Sequence, residues 1–402
     1  MTASTPQPQP TDAVIVGGAR TPFTRLLGQQ AGLQAVELGA HAIRHALERS
    51  GVPAEDVDMV YLGQVVQAGA GQNPARQAAL AAGIGWDVPA MTLNKVCLSG
   101  LVAVTDAARL IRLGEARVVV AGGQESMTNA PHLMPKARKG FKYGQATLLD
   151  SVEWDGLTDT LSHEAMGELT ESGNAERGLS RAEQDEVAAA SHQRAAQAQA
   201  DGVFDAEIAS VEIPQRKGEP LVVSQDEGVR PDATVESLGG LRPAFTADGT
   251  ITAGNSSPLS DGAAALVVTS RAYAEERGLP VLATVGAAGQ TAGPDSSQLH
   301  SQPADAVKEA LRKQGWDVAD LDFVEINEAF GAVAVQSLRD LDYPLEKTNI
   351  HGGAIALGHP IGASGARLAL HAALELDRRG GGRAAVSLCG GGGQGEALIL
   401  FR

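Results

Sequence analysis

Buried strands and amphipathic helices alternate along most of this chain, and the alternation restricts the fold more than any other feature. The segment "AVIVGGARTPF" has the pattern of a buried strand, and "LQAVELGAHAIRHALERSG" that of an amphipathic helix closed by Gly51. Such alternation is typical of crossover connections, so the sequence predicts an α/β protein with parallel strands. The 48 glycines and the low aromatic content of 3% agree with layers built from small and aliphatic residues.

The middle of the chain has a different pattern. From about residue 124 to residue 241 the sequence has mixed charge, many turn residues and one clear helix, before which Ser180 and Glu183 have capping-box spacing. Regular strand and helix patterns return at "DGAAALVVTS". We therefore expect an inserted lobe that lies over the α/β core.

Two segments of the chain form a weak internal repeat. "LSGLVAVTDAARLIRLGEARVVVAGGQ", from Leu98, and "ASGARLALHAALELDRRGGGRAAVSLCGG", from Ala363, share a small-Ser-Gly start, an alanine-rich helix, a strand and a glycine pair. A candidate reactive residue precedes each copy, Cys97 in the first and His359 in the second. Two similar halves that face each other would bring these residues to one interface.

Charge and patterning exclude several classes of protein. The net charge of −16 argues against non-specific nucleic-acid binding, which needs an electropositive face. No apolar run is long enough for a membrane span, and the N-terminal residues lack a signal-peptide pattern, so we expect a cytoplasmic protein that binds neither membrane nor nucleic acid. His41 and His45 have helical spacing but no third ligand nearby, so no metal site is expected.

The chain has only two cysteines, Cys97 and Cys389. Cys97 comes just before a predicted helix, where the dipole favours a thiolate, although a buried structural thiol is the alternative. Cys389 opens "CGGGGQG", which no Gly-Lys-Ser/Thr follows, so the glycines fit an oxyanion hole better than a phosphate loop. Because a disulfide is disfavoured in a reducing cytoplasm, two thiols and the glycine-flanked His359 favour acyl transfer through a thioester.

Five separated motifs resemble those of the thiolase family: "NKVCLSG", "AGGQESMTNAPH", "TAGNSSPLSDGAA", "NEAFGA" with "GGAIALGHPIGASG", and "CGGGGQG". The resemblance covers everything but the N-terminal tail. It implies the thiolase fold, in which two similar βαβαβαββ halves form a five-layered α-β-α-β-α core with an inserted loop lobe. It also implies these segments: a disordered tail (1–12), an N-terminal half (13–275) that carries the CoA-binding lobe (about 124–241), and a C-terminal half (276–402).

The resemblance also assigns roles to the reactive residues. Cys97 is expected to be the acylated nucleophile, and His359 to take its proton and help hold the thioester oxygen. Cys389 would be the second acid/base, which removes a proton from the second acyl-CoA. Asn327 would orient a water in one oxyanion hole, while the N–H groups of Cys97 and Gly391 would form another.

The expected substrate is coenzyme A, carried as acetyl-CoA, with no tightly bound cofactor. The motifs imply a set of CoA-contacting positions: Leu157, Met166, Arg230, Ser237, Ala253, Gly254, Ser257 and Phe330. The basic segments "KARKGFKYG" and "PQRKGE" fit the phosphates, but a solvated surface is the alternative for each lysine.

Three departures from the family pattern lie near the expected acyl and pantetheine channel. Family members of the biosynthetic type usually have His-Met where this chain has Ala165-Met166, and Met-Gly-x-Gly-Pro where it has "LHSQP" (299–303). Leu98 replaces a frequent glycine. Because of these changes, the sequence does not determine which acyl chain length the protein prefers in its substrate.

The leading hypothesis is an acetyl-CoA C-acetyltransferase that condenses two acetyl-CoA to acetoacetyl-CoA and CoA. The alternatives are a degradative 3-ketoacyl-CoA thiolase of fatty-acid breakdown and a non-catalytic CoA-binding subunit. The resemblance further implies a homotetramer built as a dimer of dimers.

Overall fold

The computed structural model describes residues 6–402. Its strands are β1 (Ala13–Arg20), β2 (Thr24–Arg25), β3 (Met59–Gly63), β4 (Ala90–Leu93), β5 (Val118–Ser126), β6 (His132–Leu133), β7 (Leu149–Asp150), β8 (Val211–Ile213), β9 (Leu221–Val223), β10 (Ser260–Ser270), β11 (Ala283–Ala292), β12 (Phe323–Ile326), β13 (Arg383–Gly390) and β14 (Gln394–Phe401). Its α-helices are α1 (Ala35–Ser50), α2 (Pro74–Ala81), α3 (Ser99–Leu113), α4 (Met166–Asn174), α5 (Arg181–Ala200), α6 (Val235–Gly239), α7 (Arg271–Arg277), α8 (Gln302–Gln314), α9 (Gly331–Leu341), α10 (Ala354–Leu357) and α11 (Ser364–Arg378).

The main sheet has the strand order β12-β13-β14-β11-β1-β10-β5-β3-β4 and divides into two similar halves. The halves meet between β1 and β11, where only Val14 with Thr284 and Ile15 with Ala283 are paired. The first half follows the predicted order of three strand–helix units and a final strand pair, β1-α1-β3-α2-β4-α3-β5-β10. In the second half the third strand is reduced to an isolated bridge between Val324 and Thr348. The predicted α/β class and thiolase fold are confirmed.

The prediction of parallel pairing is only partly correct. The pairs β3–β4, β3–β5 and β12–β13 are parallel, but β10 pairs antiparallel with both β1 and β5. β14 likewise pairs antiparallel with β13 and β11. The reason is local for β14, since a glycine turn with positive φ at Gly392 (77°) and Gly393 (65°) reverses the chain directly after β13.

Helices pack in three layers around the two half-sheets. α1 and α2 cover the outer face of the first half, and α8 that of the second half. α3 and α11 lie together between the half-sheets, where they build the largest apolar core. The result is the α-β-α-β-α arrangement that the sequence predicted.

The N-termini of α3 and α11 cross at unusually short range, and glycines make the crossing possible. A Cβ at Gly365 would lie 2.5 Å from the Leu101 N atom, and a Cβ at Gly100 would lie 2.9 Å from the Ala366 N atom. Neither space admits a side chain. The two small-Ser-Gly segments of the repeat therefore meet, and they bring the residues just before α3 next to the start of α11.

The chain between β5 and β10 forms the segment over the core. It contains α4, α5, α6 and the hairpins β6–β7 and β8–β9. Ser180 caps α5 as predicted, accepting a hydrogen bond from the Glu183 N–H. No helix among residues 6–402 is long and apolar enough to cross a membrane.

The predicted disordered tail, residues 1–12, falls partly on residues 1–5, which lie outside the described residues. Within the remainder, the Pro10 carbonyl accepts a hydrogen bond from the Ala272 N–H, and the Asp12 carbonyl accepts one from the Arg271 N–H. The end of this segment is therefore held against the start of α7.

Candidate active site

Cys97 sits in a tight turn between β4 and α3. Val96, just before it, has φ of 52°, which is strained for a β-branched residue and marks a site held by its surroundings. Ser99 supports the turn, because its hydroxyl donates to the Val96 carbonyl (2.6 Å) and accepts from the Lys95 N–H (2.8 Å). The turn directs the half-buried Cys97 side chain into a cavity rather than into the helix layer.

His359 lies in the loop between α10 and α11, and hydrogen bonds fix its position. Its N–H donates to the Ser260 hydroxyl (3.1 Å), and its Nδ1 lies 2.6 Å from the Ser364 Oγ. The Ser364 hydroxyl also lies 3.1 Å from the Pro360 carbonyl, to which it donates its single hydrogen. It therefore accepts from Nδ1–H, and in this tautomer the His359 Nε2 carries no hydrogen.

Asn327 approaches His359 from the end of β12. Its N–H donates to the Ser387 carbonyl (2.9 Å), which anchors it to β13. Its side-chain Nδ2 lies 3.3 Å from the His359 Nε2, as expected for an amide donor facing an unprotonated ring nitrogen. Among the described residues the buried Asn327 Oδ1 has no hydrogen-bond partner.

Cys389 lies near the end of β13, where its side chain packs against Leu299 and Val333. The glycine turn follows directly. The N–H groups of Cys97 and Gly391 both lower the pKa of the Cys97 thiol, which indicates that the two backbone donors lie close to its sulfur.

The charge state of the site corrects one expectation from the sequence. Burial raises the pKa of Cys97 to about 12, against the opposing effect of the Cys97 and Gly391 N–H groups. Burial, followed by the neighbouring Cys97, also raises the pKa of the Cys389 thiol. Neither cysteine is therefore a resting thiolate, because the helix dipole does not outweigh the loss of solvent. Burial and Arg367 lower the pKa of His359 to about 3, so its imidazole is neutral.

A mostly apolar cavity of about 560 Å³ joins these groups. Its wall contains most of the predicted site residues: Cys97, His359, Cys389, Gly391, Leu157, Met166, Arg230, Ala253, Ser257 and Phe330. Asn327 does not line the cavity, but its side chain contacts His359, which does. The volume is in the usual range for small-molecule sites.

Two predicted contact residues lie elsewhere. Ser237 is exposed on α6, and its hydroxyl donates to the Thr234 carbonyl (3.0 Å) at the start of that helix. Gly254 is buried, and the side chains of Leu238 and Leu241 fill the space where its Cβ would lie. The structure does not bring either residue to the cavity wall.

Most of the predicted basic segments also lie away from the cavity. Lys136, Arg138 and Lys139 are exposed around a separate surface depression, which agrees with the solvated alternative for these side chains. Arg230 is the predicted basic residue that lines the cavity, and Arg25 joins it there.

Several residues of the site were missed from the sequence. Met127, Ile361 and Phe245 line the cavity, and the Phe245 ring packs edge-on against Phe330 with centroids 6.0 Å apart. Ser364, which orients His359, stands in the "GASG" segment, where its place five residues after the histidine was the available signal. Met127, Ile361 and Phe245 reach the cavity through tertiary packing, and no local sequence pattern marks them.

Comparison with known proteins gives consistent matches over nearly the whole chain. The family model described as "Thiolase, N-terminal domain" matches residues 13–272, and "Thiolase, C-terminal domain" matches residues 279–402. A "Probable acetyl-CoA acetyltransferase" of Mycolicibacterium smegmatis is 58% identical over 97% of this chain and 100% of its own length. An "Acetyl-CoA acetyltransferase" of Pseudomonas aeruginosa is 50% identical over 97% of this chain and 99% of its own.

A solved structure agrees with the sequence matches. The crystal structure of the Bacillus anthracis acetyl-CoA acetyltransferase superposes with a TM-score of 0.94 at 39% identity, covering 97% of this chain and 98% of that chain.

Proposed function

The chain belongs to the thiolase family, and on that premise we propose that it is an acetyl-CoA C-acetyltransferase. It condenses two acetyl-CoA to acetoacetyl-CoA and CoA through an acetyl-Cys97 intermediate, and it runs the reverse thiolysis. The observation that carries the proposal is the convergence of Cys97, Cys389 and His359 on one apolar cavity. The names of the matching relatives favour this activity over the degradative 3-ketoacyl-CoA thiolase.

In the first half-reaction Cys97 attacks the thioester carbonyl of acetyl-CoA. Its proton moves to the His359 Nε2, which carries no hydrogen in the tautomer that the Ser364 contact sets. The carbon–sulfur bond to CoA then breaks, and the CoA thiolate takes the proton from His359 and leaves as a thiol. The raised pKa of Cys97 means that proton loss accompanies the attack rather than precedes it.

The oxygen of the tetrahedral intermediate carries the developing negative charge. The Cys97 and Gly391 N–H groups, which lower the pKa of the Cys97 thiol, are proposed to donate to this oxygen. Loss of one such donor typically costs about 3 kcal/mol of transition-state stabilisation. His359, with a water ordered by Asn327, is proposed to serve the carbonyl oxygen of the second thioester.

In the second half-reaction Cys389 acts on the second acetyl-CoA. Cys389 gives its proton to His359 and then takes a proton from the methyl carbon of the substrate. The resulting carbanion attacks the carbonyl carbon of acetyl-Cys97, and a carbon–carbon bond forms. The Cys97 thiolate leaves and recovers its proton from His359, which returns all three groups to their resting states.

The cavity supports binding of the pantetheine arm. Its apolar wall suits an uncharged chain, while Arg25 and Arg230 supply positive charge for the phosphates of CoA. Met166, Phe330 and Leu157 are proposed to contact the arm. We include Ser237 and Gly254 as CoA contacts only on the strength of the motif, since neither lines the cavity.

Further expectations belong to this proposal. CoA serves only as a substrate, with no tightly bound cofactor. The protein is a cytoplasmic homotetramer that serves fatty-acid metabolism. The tail and the two halves are separated near residues 12 and 275, and the first half carries the CoA-binding lobe. Light scattering tests the quaternary state.

The test of the activity is kcat/KM for CoA-dependent thiolysis of 3-ketoacyl-CoA substrates of increasing chain length, with the Cys97→Ala protein as the blank. We expect a preference for acetoacetyl-CoA and no turnover by the variant. A preference for longer chains would favour the degradative enzyme. Binding of CoA without any turnover or alkylation of Cys97 would favour a non-catalytic subunit.

A further inference from the structure

Glu125, near the end of β5, is a fully buried carboxylate to which the mechanism above gives no role. Backbone donors surround it. Its Oε2 accepts from the N–H groups of Val65 (2.9 Å) and Gly362 (2.9 Å), and its Oε1 accepts from the Val66 N–H (3.1 Å). Both oxygens of the Glu125 carboxyl group therefore act as acceptors of backbone hydrogen bonds. Within residues 6–402 no lysine, arginine or histidine forms an ion pair with this carboxyl group.

The three donors belong to two segments that build the active site from opposite halves. Val65 and Val66 follow β3 and pack in the apolar cluster that contains Cys97. Gly362 stands three residues after His359, in the loop that leads to α11. Glu125 is therefore a direct polar link between the wall beside the nucleophile and the histidine loop.

The packing around Gly362 allows little adjustment. A Cβ at Gly123 would lie 2.0 Å from the Gly362 carbonyl oxygen, and one at Gly63 would lie 2.6 Å from it. A Cβ at Gly362 itself would lie 2.8 Å from the Glu125 Oε2. The histidine loop thus rests on glycines of the first half, and Glu125 supplies the polar contact that fixes its register there.

Glu125 also acts on Cys97 through its charge. Among the causes that raise the pKa of Cys97, the negative charge of Glu125 follows burial, and it opposes the Cys97 and Gly391 N–H groups. Burial, with a contribution from Asp261, raises the pKa of Glu125 itself to about 8, although its three N–H donors act in the other direction.

We infer that Glu125 is a positioning residue for the acylation step: its three backbone hydrogen bonds hold the His359 loop against the Cys97 turn. The inference rests on the proposed acyl transfer and describes how its proton acceptor is kept in place. Above about pH 8, where Glu125 is ionised, its negative charge also opposes formation of the Cys97 thiolate, which is the species that is alkylated.

The test uses the Glu125→Gln variant of the whole protein, in which an amide replaces the carboxylate at nearly constant size. Two quantities are measured: the pH dependence of iodoacetamide labelling at Cys97, resolved by peptide mass spectrometry, and the rate of Cys97 acetylation by acetyl-CoA. We expect the labelling profile to move to lower pH and acetylation to slow by at least about tenfold, the size of a lost charged hydrogen-bond partner.

Glu125→Asp separates the two effects, and it replaces the first variant if Glu125→Gln does not fold. It keeps the charge but shortens the reach to Gly362, so we expect an unchanged labelling profile together with slower acetylation. Asp58→Asn is the matched control. It changes another carboxylate that accepts from backbone N–H groups, those of Arg117 (2.7 Å) and Val118 (3.0 Å) at the opposite end of β5. Here we expect acetylation within about threefold of the parent protein, as for a site outside the reacting groups.

A labelling profile and an acetylation rate that do not change in Glu125→Gln would overturn the inference. So would equal effects in Glu125→Gln and Asp58→Asn, because that would indicate a general loss of packing. Failure of the proposed function gives a different result, namely that the parent protein itself is not acetylated at Cys97.

Discussion

At the scale of single residues, the site is built from neutral partners. The His359 Nδ1 faces the Ser364 hydroxyl, and its Nε2 faces the amide of Asn327. A carboxylate partner would stabilise an imidazolium, as in hydrolase triads, whereas a hydroxyl does so only weakly. A proton on His359 is therefore weakly held, which suits the proposed exchange of protons with CoA, Cys97 and Cys389 in turn.

The division of labour between the cysteines can be tested with Cys389→Ser. The variant should still be acetylated at Cys97, because only the second half-reaction needs Cys389 as a base. Condensation should fall by about a hundredfold or more, the usual contribution of a positioned acid/base group. Rapid-quench measurement of acetyl-enzyme and of acetoacetyl-CoA separates the two steps. Equal loss in both would contradict the assignment.

At the scale of elements, the decisive contact is the crossing of α3 and α11. Cys97 lies two residues before α3, and Ser364, which orients His359, is the first residue of α11. The glycines at the crossing, Gly100 and Gly365, let the two helix starts approach to backbone distance. The repeated small-Ser-Gly motif is thus a packing requirement that also sets the spacing of the reacting groups.

Replacing Gly365 by Ala tests this crossing. Alanine favours a helix by about 1 kcal/mol over glycine, but its Cβ would lie within 3.0 Å of three Leu101 atoms. Overpacking typically costs about 1–3 kcal/mol. We expect a lower free energy of unfolding in urea and slower acetylation of Cys97. In the control Gly239→Ala, nothing lies within 4 Å of the added Cβ, and neither quantity should fall. An unchanged Gly365→Ala protein would show that the helices can separate at no cost.

At the scale of the whole molecule, burial of imidazoles makes stability depend on pH. Burial is the first cause that lowers the pKa of His192 and His300 to about 4, and that of His359 to about 3. In the unfolded chain these groups bind protons below about pH 6.5. The unfolded state therefore takes up more protons as the pH falls from 6.5 towards 4, and stability decreases. His371 has the opposite effect on the pH dependence of stability, because the neighbouring Glu207 raises its pKa in spite of burial. The stability that His371 contributes is present below pH 6.5 and declines above it.

The His300→Gln variant checks this dependence. Glutamine can keep an N–H donor for the Asn174 Oδ1, which lies 2.8 Å from the His300 Nε2, while removing the titrating ring. Between pH 6.5 and 5, we expect its unfolding free energy to fall less steeply, by up to about 1.4 kcal/mol per pH unit. Urea unfolding at each pH provides the measurement. Parallel curves for the two proteins would mean that His300 does not titrate differently on folding.

Much of the fold and of the site was predictable from local pattern, and the rest depends on tertiary packing. Strand and helix periodicity, the Gly51 helix end and the Ser180 cap are local signals, and all three occur in the structure. The antiparallel pairing of β10 was not predictable from alternation, because β10 returns only after the long segment over the core.

The same limit applies to the site. The motifs identified Cys97, His359 and Cys389 because glycines and small residues surround them in sequence. The direction of their pKa shifts depends on how completely the other half covers them, which no short motif encodes. The role of Glu125 could not be predicted from sequence for the same reason, since its hydrogen-bond partners lie about 60 and 237 residues away along the chain.

The strand order has a consequence for synthesis of the protein. β14 follows all the other described strands along the chain, yet it lies between β13 and β11 and joins them. A growing chain can thus complete the first half of the sheet, with Cys97, well before the strand that closes the second half has been made. Cys97, His359 and Cys389 come together only in the last stage of translation, so a chain released early carries Cys97 without the other two residues of the proposed site.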